Sequence, residues 1–360
     1  MKVIFMGTPD FAVGTLEAII EAGHEVVLVV TQPDKPRGRS GALQFTPVKE
    51  CAVAHGIEVF QPVKIRLEEN VEYLRKYEAD IMVVAAFGQI LPKSILDMPK
   101  YGCINVHASI LPKYRGAAPI QWAVINGDPV TGVTIQQMDV GVDTGDIIRV
   151  REVPISEDET GGGLFDKLAV VGAEVCVEAM AAMENGTATR TPQNHEEATH
   201  VSMISKEFGL IDWTKSAVEI ERLIRGLNPW PSAYTKLGGK TFKIWKANVV
   251  AEADNAVKSD AVSESAEAGS AKEQWKAMET EVLEVATAKI ENETLDSVQK
   301  ATAEKPAPGT VLRVTKDALE VQTGNGILSL LEVQLEGKKR MEIGAFLHGN
   351  ALQEGTVFLS

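Results

Sequence analysis

GCINVHASILPKYRGAAPIQWAV, residues 102–124, passes from strand to loop to helix. Residues 103–107 read as a short apolar strand, in which period-2 alternation points Asn105 and His107 the same way at its carboxyl end. Open α/β sheets carry their ligands at that end. Pro112 lacks an N–H and biases Leu111 towards extended backbone, so 108–112 is predicted as a non-helical loop. Residues 113–116 read as a flexible basic step, and Pro119 suits the first turn of a following helix. A carboxamide and an imidazole are thus expected side by side above a loop.

Outward from this stretch the chain reads as repeated βα units. Upstream, strands are predicted at 3–6, 26–31, 58–61 and 80–86, and helices at 11–21, 47–55 and 68–76. The 80–86 run is almost continuously apolar, as a parallel strand covered on both faces requires. The glycines after the first strand do not spell G-x-G-x-x-G, which disfavours a dinucleotide site. Downstream, 133–138 and 147–153 form a predicted strand pair flanking a glycine-rich loop at 141–145, and 160–183 reads as a long helix closing the domain. The expected fold is α/β, a Rossmann-like domain at 1–186. A polar linker follows at 187–207, and 208–360 forms a second domain.

In that second domain, 217–226 reads as an amphipathic helix with Arg222 and Arg225 exposed near its end, and Asn-Pro-Trp-Pro at 228–231 as a rigid turn. Five short strands, at 233–237, 241–250, 309–314, 318–322 and 327–333, predict a small OB-fold-like β-barrel. Such barrels often bind nucleic acid. The block at about 251–307, rich in Ala, Glu, Ser and Thr, is expected to be an acidic surface insertion, partly helical over 271–291.

The 360 residues exceed a comfortable single domain, and no long uncharged apolar run interrupts them, so a two-domain cytoplasmic protein without a membrane span is expected. Three scattered cysteines give neither a disulfide framework nor a zinc pattern, and no metal is expected. Net charge is −14, yet residues 202–250 carry +4. A polyanion should dock there, helped by Lys338, Lys339 and Arg340, while the rest repels it. That weighs against general nucleic-acid binding and favours one localised footprint.

Taken singly, Asn105, His107 and Asp143 are ordinary strand-end and loop residues. Their order carries more. Asn105-x-His107, Ser109-Ile110-Leu111-Pro112 and Tyr114-Arg115-Gly116, followed by Asp139-Val-Gly141-Val-Asp143-Thr-Gly145, resemble the folate-dependent formyltransferase family. The segments MGTPDFA at 6–12, TQPD at 31–34 and NPWP at 228–231 are similar to the members of that family acting on methionyl-tRNA. The resemblance spans nearly the whole chain except about 251–307.

It implies formyl transfer from 10-formyltetrahydrofolate to the α-amino group of methionine on initiator tRNA, by a monomer. Asn105, His107 and Asp143 would be catalytic. Asn105 can donate to the tetrahedral oxyanion, and His107, with an ordinary pKa of ~6.5, can give and take a proton. Phe87, Gly88, Ile90, Leu91, Ser109, Ile110, Leu111 and Pro112 would hold folate. The basic loop with Lys35, Arg37 and Arg39 would meet the tRNA acceptor end. Lys206 of the linker, with Arg222, Arg225, Lys243 and Lys246 of the second domain, would supply basic charge for the same tRNA. The sequence departs from the pattern at 40–44, Ser-Gly-Ala-Leu-Gln, where basic residues usually follow the glycine. Two alternatives stand beside this reading: a formyltransferase for a small amine such as a sugar nucleotide, against which the basic barrel argues, and a non-catalytic RNA-binding relative, against which the intact trio argues.

Overall fold

Val3, Ile4, Phe5 and Met6 are fully buried in β1 (Lys2–Gly7), because this strand lies inside a sheet covered on both faces. The computed structural model describes residues 1–37, 42–251 and 306–359. The predicted insertion, apart from its margins, and Arg39 lie outside the described residues. The first domain continues with α1 (Asp10–Glu21), β2 (Glu25–Val30), the hairpin β3 (Lys35–Arg37) and β4 (Ala42–Gln44), α2 (Pro47–Ala54), β5 (Val59–Phe60), α3 (Glu68–Arg75), β6 (Ile81–Ala85) and α4 (Lys93–Leu96). Then come β7 (Cys103–His107), β8 (Arg115–Gly116), α5 (Pro119–Asn126), β9 (Val130–Gln137), β10 (Ile147–Pro154) and α6 (Gly161–Glu184).

Seven strands form one sheet in the order β10-β9-β7-β6-β1-β2-β5. The run from β7 to β5 is parallel, while β9 and β10 pair antiparallel at one edge. From β1 the chain winds outward through β2 and β5, then returns to place β6 on the other side of β1. The resulting switch point opens a crevice at the strands' carboxyl ends. Side chains of α1, α2 and α6 cover one face, and those of α3 and α4 cover the other. Thr46 caps α2, its hydroxyl accepting from Lys49 N at 3.2 Å, and Thr160 caps α6, accepting from Gly163 N at 3.0 Å.

The expected linker at 187–207 proves to be woven into the first domain. Thr191 bridges Ile147, Gln193 is buried, and β11 (His200–Val201) runs parallel to β8. Most of the segment's polar side chains are exposed, and Gln193 is the one that turns inward. The predicted polar loop at 32–45 is likewise partly a hairpin, with Lys35 opposite Gln44 and Arg37 opposite Ala42.

The second domain holds α7 (Ala217–Gly226), started by a reciprocal Ser216–Glu219 capping box. An antiparallel sheet follows: β12 (Ala233–Leu237), β13 (Lys240–Ala251), β14 (Val311–Val314), β15 (Leu319–Gln322), β16 (Ile327–Leu335) and β17 (Met341–Glu342), then α8 (Ile343–Gly349). Its order β12-β13-β16-β15-β14 leaves two edges, which the chain's end joins. Leu359 exchanges backbone hydrogen bonds with Lys236, and Phe358 N donates to Gly309 O at 2.9 Å. That closure satisfies edge groups which would otherwise be free to pair with other chains. It also buries Phe358, stacked against both Trp213 and Phe242. Sequence reading placed five of these strands but neither α8 nor the closing segment, whose short Val-Phe-Leu run carries no period of its own.

Domain docking depends on missing side chains. A Cβ on Gly161 would sit 2.3 Å from the Gly226 carbonyl oxygen, and one on Gly226 would sit 2.5 Å from Ile125 Cγ1. Gly162 N therefore reaches Asn228 O at 2.8 Å.

Candidate active site

At the carboxyl end of β7, Asn105 is half-buried and His107 buried, and both face the loop after β9. Asp143 occupies that loop with φ 54°, a left-handed conformation that non-glycine residues adopt only when their surroundings enforce it. The enforcement is visible. Gln136 Nε2 donates to Asp143 Oδ1 at 2.8 Å, and Gly116 N donates to Oδ2 at 2.9 Å. Gly145 packs so closely on β9 that a Cβ would fall 1.7 Å from Gln137 O.

The three predicted residues converge on one carboxylate. Asn105 Nδ2 lies 3.4 Å from Asp143 Oδ1, and His107 Nδ1 lies 3.6 Å from the same oxygen. His107 Nε2 stands 2.9 Å from Tyr114 O, a carbonyl that can only accept, so Nε2 carries the hydrogen. Nδ1 is then the nitrogen free to exchange a proton. Tyr114 itself has φ 59° and donates its hydroxyl to Asp128 Oδ2 at 2.6 Å, and burial pushes this phenol up to about 12. Burial likewise pushes the neighbouring Cys103 thiol up to about 12, consistent with a small apolar residue rather than a nucleophile.

Residues 113–116 were expected to be a flexible basic step; in the structure Arg115 is buried. Its Nε and Nη2 donate to Gln193 Oε1 at 3.1 and 2.7 Å, and Nη2 also meets His195 Nδ1 at 3.0 Å. Gln193, from the supposed linker, and Gln136, from β9, are the residues that sequence reasoning missed. For Gln136 a signal existed, since Thr134 and Gln136 place polar groups on alternate positions of an otherwise apolar strand. Gln193 had none.

The residues expected to hold folate lie around the same opening with different exposures. Phe87 and Leu91 are buried in the core, and the Phe87 carbonyl accepts from Thr8 Oγ1 and Gln32 Nε2. Gly88 has φ 80°, and Ile90 is 73 % exposed, as are Val140 and Val142 of the Asp143 loop at 71 % and 56 %. Leu111–Pro112 is a cis peptide. Ser109 and Leu111 are buried, tied to β9 by Thr134 Oγ1, which donates to Ser109 O at 2.7 Å and accepts from Leu111 N at 3.1 Å. Ile110 and Pro112 stay half-buried.

Of the basic residues, Lys35, Lys206 and Lys246 are exposed, while Arg37's side chain and all of Arg39 lie outside the described residues. Lys243 and Arg340 lie over the Trp245 ring, at 5.5 and 4.7 Å from its centroid, making a basic and aromatic face on the barrel. Arg222 and Arg225 are not the exposed pair expected. Arg222 Nη1 reaches Asn126 O at 3.4 Å, and Arg225 Nη1 donates to Glu159 O at 2.8 Å while its Nε pairs with Glu221. The short gap between α7 and the first domain draws these arginines into the interface.

Cys51, Cys103 and Cys176 are free and buried. Among the described residues Glu17, Cys51 and His55 bring potential ligand atoms within 4.8 Å of one another, on α1 and at the end of α2, away from the Asp143 loop. No helix among the described residues is long and apolar enough to cross a membrane.

Comparison with known proteins follows this two-domain layout. The family model described as "Formyl transferase" matches residues 1–180, and "Formyl transferase, C-terminal domain" matches 203–351. A relative called methionyl-tRNA formyltransferase in Agathobacter rectalis is 60 % identical over 358 residues, 99 % of each chain. One of the same name in Lachnospira eligens is 51 % identical over 357 residues, again 99 % of each. The fold is shared with the crystal structure of an N-formyltransferase from Helicobacter canadensis, at 17 % identity and a TM-score of 0.56, covering 92 % of this chain and 99 % of that one. With both models matched in order and relatives aligned almost end to end, the chain belongs to the formyl transferase family.

Proposed function

We propose that this protein transfers the formyl group of 10-formyltetrahydrofolate to the α-amino group of methionyl-tRNA, the initiator species being its acceptor, in the cytoplasm. The observation carrying this reading is the 60 % identity to a methionyl-tRNA formyltransferase across 99 % of both chains.

The chemistry asked of the site suits its residues. As the amine nitrogen attacks the formyl carbon, the carbonyl oxygen becomes an oxyanion, the amine must lose a proton, and the leaving folate nitrogen must gain one. Asn105 has a carboxamide N–H for the oxyanion. Asp143, with Gln136 and Gly116 aiming it, takes the amine proton and returns it to the leaving nitrogen. His107, anchored through Nε2, presents Nδ1 to the same space and balances charge there. Folate would enter the crevice beside Gly88 and Ile90. The Lys243, Trp245 and Arg340 face, with Lys246, Lys338 and Lys339, offers charge and stacking surface to the tRNA body.

The test is formyl transfer from 10-formyltetrahydrofolate to methionine-charged initiator tRNA, with charged elongator tRNA and free methionine as controls. Transfer confined to the initiator is expected. Transfer to a small amine but to neither tRNA would refute the acceptor while keeping the chemistry.

A further inference from the structure

We infer that Gln193 is a positioning residue for formyl transfer, acting on the reaction through the backbone of the Asp143 loop. The inference rests on the proposed function for its chemistry but on geometry alone for its mechanical part. One carboxamide spans two elements that the sequence separates widely. Its Nε2 donates to the carbonyl oxygens of Asp143 and Gly145, at 2.9 and 2.7 Å. Its Oε1 accepts from Arg115 Nε and Nη2. An arginine only donates, so the amide cannot be flipped: the oxygen must face Arg115 and the nitrogen must face the loop.

Arg115 is itself held, for its backbone N donates to Thr199 O at 2.8 Å within the β8–β11 pair. The adjoining Gly116 N aims the Asp143 carboxylate. The segment after α6 and the stretch after β7 thus close on the catalytic loop from both sides: Gly116 and Gln136 set the side chain, and Gln193 sets the main chain. Asp143 needs that second restraint because its left-handed backbone is disfavoured for a residue with a Cβ. A carboxylate that must pick up a proton from one nitrogen and deliver it to another is sensitive to displacement of about 1 Å, at a cost of about 10²-fold in rate.

Gln193→Glu separates this role from simple packing. The glutamate keeps the size and strengthens the contact to Arg115, yet it turns carboxylate oxygen, with no hydrogen to donate, towards the carbonyls of Asp143 and Gly145. Turnover should fall about 10²-fold in Gln193→Glu and in Gln193→Ala, with KM for folate and for charged tRNA changed by less than about threefold. In an Asp143→Asn background the same substitution should cost almost nothing further, since both act through one group. Amide hydrogen exchange over residues 139–146 should quicken about tenfold in both single variants while exchange in the core strands of the first domain stays near wild type. Wild-type turnover in Gln193→Glu, or a full multiplicative loss on top of Asp143→Asn, would overturn the assignment. Unchanged exchange over 139–146 would overturn it whatever the acceptor proves to be. Failure of wild-type protein to formylate charged tRNA would instead count against the proposed function, leaving the exchange measurement to decide the role of Gln193.

Discussion

His107 turns its Nδ1 to within 3.6 Å of Asp143 Oδ1 while its Nε2 is committed to the Tyr114 carbonyl. In the neutral imidazole this sets a nitrogen lone pair against a carboxylate oxygen, and a proton between them makes the contact attractive. Nδ1 and Oδ1 thus face one common space, where the proposed reaction places the attacking amine.

Asp143→Asn keeps the Gly116 N contact and most of the shape but removes the carboxylate that the proposed reaction uses as its base. Turnover should drop by about 10²–10⁴-fold, the usual yield of general acid–base catalysis, with folate binding retained. Single-turnover formylation of charged tRNA checks this, and wild-type rates in the variant would remove Asp143 from proton transfer.

Asn105→Ala removes a donor for the oxyanion rather than a base. The loss expected is about 10²-fold in kcat, with little change in KM, because the interaction strengthens only as charge develops on oxygen. A loss appearing in KM alone would mean that Asn105 serves ground-state binding.

The arginines drawn into the domain interface and the lysines of the barrel face should separate in salt dependence. Lys243→Ala removes a charge available to phosphate, so the slope of log affinity for tRNA against log salt should shrink by about one. Arg225→Ala breaks the contact with Glu159 O and should lower the thermal midpoint while leaving that slope unchanged. Titrations of tRNA binding across a salt series decide between the two behaviours.

Asp34 and Lys49 form a pair at 2.5 Å, completed by Gln61. Burial raises the Asp34 carboxyl, but the hydrogen bonds from Lys49 and Gln61 and the lysine charge outweigh it and hold the group below its ordinary value. A folded-state value below the unfolded one means stability that is present above the unfolded value and lost as pH falls through the depressed one. Asp34→Asn should therefore destabilise by about 1–3 kcal/mol near neutral pH and by nothing once acid has protonated the wild type. Denaturant melts at pH 7 and near pH 2 test it; an equal penalty at both would rule out the charge as its source.

Much of the first domain was legible in its residues. The apolar run at 81–85, the alternation that aligns Asn105 with His107, and the glycine-rich loop around Asp143 each carry a local signature, because strand period and backbone freedom are properties of neighbours in the chain. Arg222 and Arg225 misled for the opposite reason. Exposure depends on what another element brings, and the Gly161–Gly226 contact that draws α7 inward joins positions far apart in sequence.

Local periodicity and turn chemistry by themselves determined the α/β layout and the barrel strands, since each is written in the spacing of a few successive residues, while the trio Asn105, His107 and Asp143 was picked out by its resemblance to the formyltransferase family. Only the tertiary structure decided that Gln193 leaves a polar connecting segment to clamp Asp143, that Arg115 is buried rather than solvated, and that Leu359 closes the barrel on Lys236. A buried hydrogen bond is satisfied by whichever partner the fold delivers, and that partner leaves no period in the sequence.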